Sequence, residues 1–170
     1  TAPLFVSYSD QGLNGLSINF QRHLRDKVIT WTKGSLPRPI HYNCWEAIYF
    51  EHEPNNLSEI MELAADIGAE RFVLDDGWFG TRDDDTQSLG DWEIDPRKYP
   101  EGLGPLIAKV NQFGMSFGIW FEPEMVNLNS KLYVKHPNWV LGTIDQILGR
   151  NQLVLDMANP GVKEYLFEKI

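Results

Sequence analysis

Cysteine is almost absent: Cys44 stands alone among 170 residues. A single thiol excludes an internal disulfide and a thiolate zinc cage, and it fits a reducing compartment. Basic residues are also few, with 15 Lys and Arg against 24 Asp and Glu and a net charge of −9. Nothing supplies a positive stripe to displace counterions from nucleic acid or to draw the chain to an anionic membrane, so neither partner is expected. No apolar run approaches the roughly 18 residues of a membrane-spanning helix. Thr1-Ala2-Pro3-Leu4-Phe5 lacks the basic region and long apolar stretch of a secretion signal, and a cytoplasmic location is expected. His23, His41, His52 and His136 show no metal-ligand spacing, and Asp83-Asp84-Asp85 lacks the spaced ligands and glycine of a calcium loop. No P-loop or dinucleotide fingerprint occurs, so neither metal nor cofactor is expected. What the chain does have is an ordinary globular share of apolar residues, 42%, and six tryptophans.

Residues 1–39 read as a connector from an upstream domain. Leu4-Phe5-Val6-Ser7-Tyr8 suits a short strand. Leu13, Leu16, Phe20, Leu24 and Val28 then recur at helical spacing, and Gly34, Pro37 and Pro39 give a linker signal. Residues 40–170 alternate strand and helix. The expected strands are His41–Trp45, Arg71–Leu74, Ser116–Phe121 and Gln152–Asp156. The first helix is placed after an Asn56 cap completed by Glu59, with Leu57, Ile60, Met61, Ala64 and Ile67 inward and Gly68 as its stop. Pro105 opens a second helix, with Leu106, Ile107, Val110 and Phe113 inward and Gly114 at its close. Ser130–His136 forms a short helix, and Asn159-Pro160 opens the last one. A long polar loop joins Asp75 to about Gly102.

Four strands, each followed by a helix, predict an α/β fold of parallel βαβ units. A (β/α) barrel and an open doubly wound sheet both fit. The barrel is preferred because polar and aromatic residues collect after every strand. The stretch from Ile40 to Ile170 is too short for the about 250 residues of a full (β/α)₈ TIM barrel, so a partial barrel of strands one to four is expected.

In a barrel the strand ends open on one face, where active sites of this fold sit. Those ends carry Trp45-Glu46, Asp75-Asp76-Gly77-Trp78, Trp120-Phe121-Glu122-Pro123-Glu124, and Asp156 with Arg150 just upstream. Carboxylates accept strong hydrogen bonds from hydroxyls, and an indole face suits the C–H side of a sugar ring. The pattern points to a neutral carbohydrate. The same residues admit plainer readings. Asp75 and Asp76 suit a turn with Gly77, Glu122 and Glu124 a solvated loop, Trp78 and Trp120 core positions, and Arg150 a surface ion pair. Read as a sugar ligand, Asp76 is a rim group whose removal spares the fold. Asp75, Glu122 and Asp156 could alternatively hold a metal ion through oxygen. Gly114-Met115-Ser116-Phe117-Gly118 matches a nucleophile elbow, but Ser116 begins a strand where the elbow requires a strand-to-helix turn. Asn56-Leu57-Ser58 matches a glycosylation sequon, and the capping role accounts for Asn56 better.

Taken together, these stretches resemble the α-galactosidases of glycoside hydrolase family 36. The resemblance rests on Arg38-Pro39-Ile40 with Trp45-Glu46-Ala47, on Phe72-Val73-Leu74-Asp75-Asp76-Gly77-Trp78-Phe79, and on Gly90-Asp91-Trp92. It continues through Phe117-Gly118-Ile119-Trp120-Phe121-Glu122-Pro123-Glu124-Met125-Val126, His136-Pro137-Asn138-Trp139, and Arg150 with Gln152-Leu153-Val154-Leu155-Asp156. It implies a (β/α)₈ catalytic barrel behind a β-sandwich domain and retaining hydrolysis of terminal α-linked galactose, as in melibiose and raffinose. A homo-oligomeric full-length enzyme and α-galactoside oligosaccharides as partners are implied with it. The family's nucleophile lies in a Lys-x-Asp-x-Asn motif, which this chain lacks, so both catalytic carboxylates are expected beyond Ile170. What remains by resemblance is part of the galactose subsite. Asp75 and Asp76 would bind hydroxyls, Trp45 and Trp120 would line the pocket, and Arg150 would hold a hydroxyl or a carboxylate, with Trp78 and Glu124 behind them. Cys44 takes no role. Galactosyl transfer and action on α-N-acetylgalactosamine are the alternatives within the family.

Overall fold

Two glycines and two prolines punctuate the α/β part of the chain. Pro54 and Pro105 stand in the first turn of two helices, Pro54–Asp66 and Gly104–Gln112, where a missing N–H leaves no hydrogen bond unmade. Gly68 and Gly114, at φ +89° and +78°, end them in the left-handed region that glycine enters freely. A computed structural model describes residues 4–29, 37–142 and 146–170. The chain divides into two units, Thr1–Arg38 and Pro39–Ile170.

In the first unit, α1 spans Gly12–His23 and continues as a π-helical turn over Leu24–Val28. The strand expected at Leu4–Tyr8 is not formed. Leu4, Val6 and Tyr8 are more than 80% exposed, and a strand needs a partner to satisfy its ladder. Gly34 lies outside the described residues.

In the second unit, β1 (His41–Asn43), β2 (Arg71–Leu74) and β3 (Ser116–Ile119) form a parallel sheet in that order. A one-turn helix, α2 (Trp45–Ile48), and α3 (Pro54–Asp66) link β1 to β2, and α4 (Gly104–Gln112) precedes β3. Leu57, Met61 and Ala64 of α3, Phe72 and Leu74 of β2, and Val110 of α4 are buried together. Gly118 lets β2 and β3 approach, since a Cβ there would lie 3.1 Å from Val73 Cγ2.

Several expectations need correction. Asn56 is inside α3, which begins two residues earlier at Pro54, so no capping box forms. Ile67 caps the end of α3 and is 79% exposed. Trp45 leaves β1 for α2, and β3 ends before Trp120. The expected fourth parallel strand is β5 (Gln152–Val154), and it runs antiparallel to an unexpected strand, β4 (Met125–Asn127). Val154 is 41% exposed, whereas Leu155 is buried. The two closing helices start as expected. The Ser130 hydroxyl accepts from Tyr133 N to begin α5 (Lys131–Lys135), and the Asn159 amide oxygen accepts from Gly161 N to begin α6 (Pro160–Lys169).

The stretch between β2 and α4 is polar in composition, yet about half of it is buried. Phe79, Leu89, Trp92 and Tyr99 all enter the core. Asp91 accepts from the N–H groups of Lys131 and Leu132, which ties this stretch to the start of α5. Among the described residues no helix is long and apolar enough to cross a membrane.

Candidate functional site

Because β1, β2 and β3 are parallel, their C-terminal ends share one edge of the sheet. The ladder continues past each strand: Cys44 N donates to Val73 O at 3.1 Å and Trp120 N to Leu74 O at 2.9 Å. This brings Asn43, Cys44 and Trp45, then Asp75 and Asp76, then Trp120, to the same edge. Trp45 stands edge-on to Tyr49 and Phe50, at 5.1 and 5.0 Å between ring centroids. Trp120 is half-buried, against Phe79 and Trp92. Trp78 is 4% exposed, and its indole N–H donates to Trp120 O at 3.0 Å. It therefore supports Trp120 from the core.

The two aspartates differ. Asp75 accepts from Asn43 Nδ2 at 2.5 Å and from Asp76 N at 2.7 Å, and its own N–H points at Cys44 Sγ. Burial pushes the Cys44 thiol up to about 11, so it stays protonated at neutral pH. Asp76 is 2% exposed, and both its oxygens are held by Arg82, Nε to Oδ1 at 2.6 Å and Nη2 to Oδ2 at 2.7 Å. Arg82 is itself fully buried, between the Phe50 and Phe79 rings at 5.6 and 5.8 Å. The expectation that Asp76 is a rim group fails, because its carboxylate is buried in this ion pair, and Asp75 beside it is 8% exposed.

The aspartate turn is braced from below. Gly77, at φ +104°, leaves room for His52, whose Nε2 would lie 3.2 Å from a Cβ at that position. Lys98 Nζ donates to the carbonyls of Phe50, Gly77 and Arg82. His52 is 4% exposed and shares a 2.6 Å hydrogen bond with the Tyr99 hydroxyl. Burial, aided by Lys98, pulls its pKa down to about 4. An unfolded histidine titrates near 6.5, so the folded state prefers the neutral ring and the unfolded state binds the extra proton below that pH. The stabilisation is complete above about pH 6.5 and is lost as pH falls toward 4, on the order of 3 kcal/mol in all. Urea titrations at pH 7 and pH 4.5 should show a smaller loss for His52→Gln than for the parent chain. Equal losses would remove His52 from the account.

Arg150 and Asn151 both have positive φ, 51° and 58°, and Gln152 N donates to Gly149 O across them. This tight turn presents Arg150, whose side chain is 58% exposed, 3.9 Å from Glu122 Oε1. Glu122 accepts from Gln152 Nε2 at 3.2 Å, and burial raises its pKa against the pull of Arg150. Glu124 is exposed. Asp156 turns inward to its own loop, accepting from Ala158 N. Among the described residues no three acidic, histidine or cysteine side chains are grouped to hold a metal ion, so Asp75, Glu122 and Asp156 do not come together as one. Ser116 lies at the start of β3, bonded to Arg71 Nε and Glu70 O, at the end of the strand remote from Asp75.

Sequence reasoning missed Asn43, Arg82, His52 and Asn127. None of them carries a period or a paired motif that marks it. A cavity of about 350 Å³ between α3 and the Lys98–Leu106 stretch includes none of the candidate residues.

A family model described as melibiase matches residues 1–170. The chain is 46% identical over 168 residues to an α-galactosidase of Escherichia coli, covering 98% of this chain and 24% of that one. It is 46% identical to α-galactosidase AgaA of Geobacillus stearothermophilus, again over 24% of that protein. The chain thus spans about a quarter of the length of these curated relatives. The crystal structure of the family 36 α-galactosidase AgaB from Geobacillus stearothermophilus superposes with a TM-score of 0.87 at 49% identity, over 95% of this chain and 23% of that one. A variant of AgaA solved in complex with raffinose superposes with a TM-score of 0.87 at 47% identity, over 95% of this chain and 23% of that one.

Proposed function

This chain belongs to the melibiase family, and from that premise we propose that it forms part of the galactose-binding subsite of a retaining α-galactosidase. The observation that supports the reading is the shared sheet edge, at which Trp45 follows β1, the Asn43-braced Asp75 follows β2 and Trp120 follows β3. Asp75 and Asp76 accept from galactose hydroxyls, the two indoles line the ring, and Arg150 binds a hydroxyl or a carboxylate. Trp78 acts through Trp120, and Glu124 stands at the rim. In this reading β1, β2 and β3 are the first strands of a (β/α)₈ barrel, and the nucleophile and acid/base come from sequence beyond Ile170. The preferred substrates are oligosaccharides ending in α-linked galactose. A homo-oligomeric, cytoplasmic enzyme completes the proposal, and the net charge of −9 suits the lack of a nucleic-acid or membrane partner.

Two proteins test it. The full-length protein carrying this chain should release galactose from melibiose and raffinose with retention at the anomeric carbon. The 170 residues alone should release none. Exclusive transfer to a second sugar, or preference for N-acetylgalactosamine, would replace hydrolysis of galactosides with the family alternative. Hydrolysis by the isolated chain, abolished by substituting a carboxylate within it, would refute the assignment of the catalytic pair to other sequence.

A further inference from the structure

We propose that Arg82 and Asn127 are positioning residues that hold Asp76 and the Arg150-bearing turn in one frame. Arg82 makes the side-on pair with Asp76 and turns Nη1 to Gln87 O and Asn127 Oδ1, both at 2.8 Å. Asn127, on β4, is fully buried. Its Oδ1 also accepts from Leu89 N at 2.9 Å, while its Nδ2 donates to Asp85 O at 3.1 Å and to Asn151 O at 2.8 Å. Asn151 is the neighbour of Arg150 in the turn Gly149–Gln152. A continuous chain of hydrogen bonds therefore runs from the aspartate after β2, through one guanidinium and one amide, to the turn before β5.

Two features point to positioning as its purpose. A buried ion pair is generally no more stabilising than apolar residues of equal volume, so stability alone does not account for it. A carboxylate offers about four acceptor sites, and Arg82 uses one on each oxygen of Asp76, fixing the plane while leaving the others for a ligand. Neither Arg82 nor Asn127 touches the ligand in this scheme.

The activity half of the test rests on the α-galactosidase reading, and a second readout does not. In hydrogen exchange on the full-length protein, Arg82→Lys and Asn127→Ser should speed the amides of residues 75–78 and 149–152 by at least ~10-fold while the β1–β3 ladder is unchanged. Asn127→Ser leaves the ion pair in place, so it reads the same segments if Arg82→Lys does not fold. In the full-length protein with p-nitrophenyl α-galactoside, Arg82→Lys should raise KM and lower kcat/KM by roughly 10-fold or more, and by less than ~2-fold when Asp76→Asn is already present. Faster exchange confined to residues 79–95, or equal loss of kcat/KM in both backgrounds, would overturn the proposal. If the unsubstituted protein hydrolyses no galactoside, the function fails and the exchange data still decide the positioning role.

Discussion

Asp76→Ala is expected to lower the unfolding free energy by about 3–5 kcal/mol, because it leaves a guanidinium buried without its counter-charge. Arg82 is fully buried, and Asp76 is the carboxylate that holds it through two hydrogen bonds of 2.6 and 2.7 Å. Stabilities of single domains are about 5–15 kcal/mol, so this loss could consume much of the total. The double variant Asp76→Ala/Arg82→Met removes both charges and should recover most of it. Urea unfolding of the parent, each single variant and the double measures the coupling. If Asp76→Ala unfolds within ~0.5 kcal/mol of the parent, a range typical of surface positions, the ion pair is dispensable and Asp76 returns to the rim. The sequence points the other way, because an aspartate after a parallel strand looks like a solvent-facing group until its partner six residues on is known.

That partner shows where sequence reading stops. The strands Arg71–Leu74 and Ser116–Ile119 and the starts of α5 and α6 are legible because each depends on neighbours along the chain: an apolar run, a capping hydroxyl, a proline in the first turn. The segment between β2 and α4 depends on contacts distant in sequence. Arg82 reaches Asn127 across 45 residues, and His52 reaches Tyr99 across 47. Its backbone is irregular, so no period of two or 3.6 marks which of its residues face inward. Composition then reads as a polar loop a segment that folds partly into the core. β5 fails for a related reason. Gln152-Leu153-Val154-Leu155 suits a parallel or an antiparallel strand equally, and only Met125–Asn127, three residues without a turn signal of their own, decides it. The strand-end positions of the candidate residues are legible as well. Asp75, Trp45 and Trp120 reach one edge because three parallel strands end there. Trp78 follows β2 as well but is buried, with its N–H donated to the carbonyl of Trp120.

The second large effect separates the paired aspartates. Asp75→Ala should cost the fold less than Asp76→Ala, about 1–3 kcal/mol, the usual cost of leaving one buried donor, here Asp76 N–H, unsatisfied. Its side-chain partner, Asn43, is exposed, so the freed amide finds water. Activity of the full-length protein should fall far more. A hydrogen bond to a charged group contributes roughly 1.5–3 kcal/mol, and if Asp75 holds two galactose hydroxyls, kcat/KM should drop by at least ~10²-fold. Asp75→Asn keeps one acceptor and the shape, and should fall between. Kinetics on p-nitrophenyl α-galactoside, with a melting curve for each variant, place both quantities on one scale. Asp76→Ala loses activity together with stability, whereas Asp75→Ala loses activity out of proportion to its smaller loss of stability. An Asp75→Ala protein of unchanged kcat/KM would mean that Asp75-Asp76-Gly77 is only a turn, closed by Asn43 on one side and Arg82 on the other, and that the galactose subsite lies elsewhere.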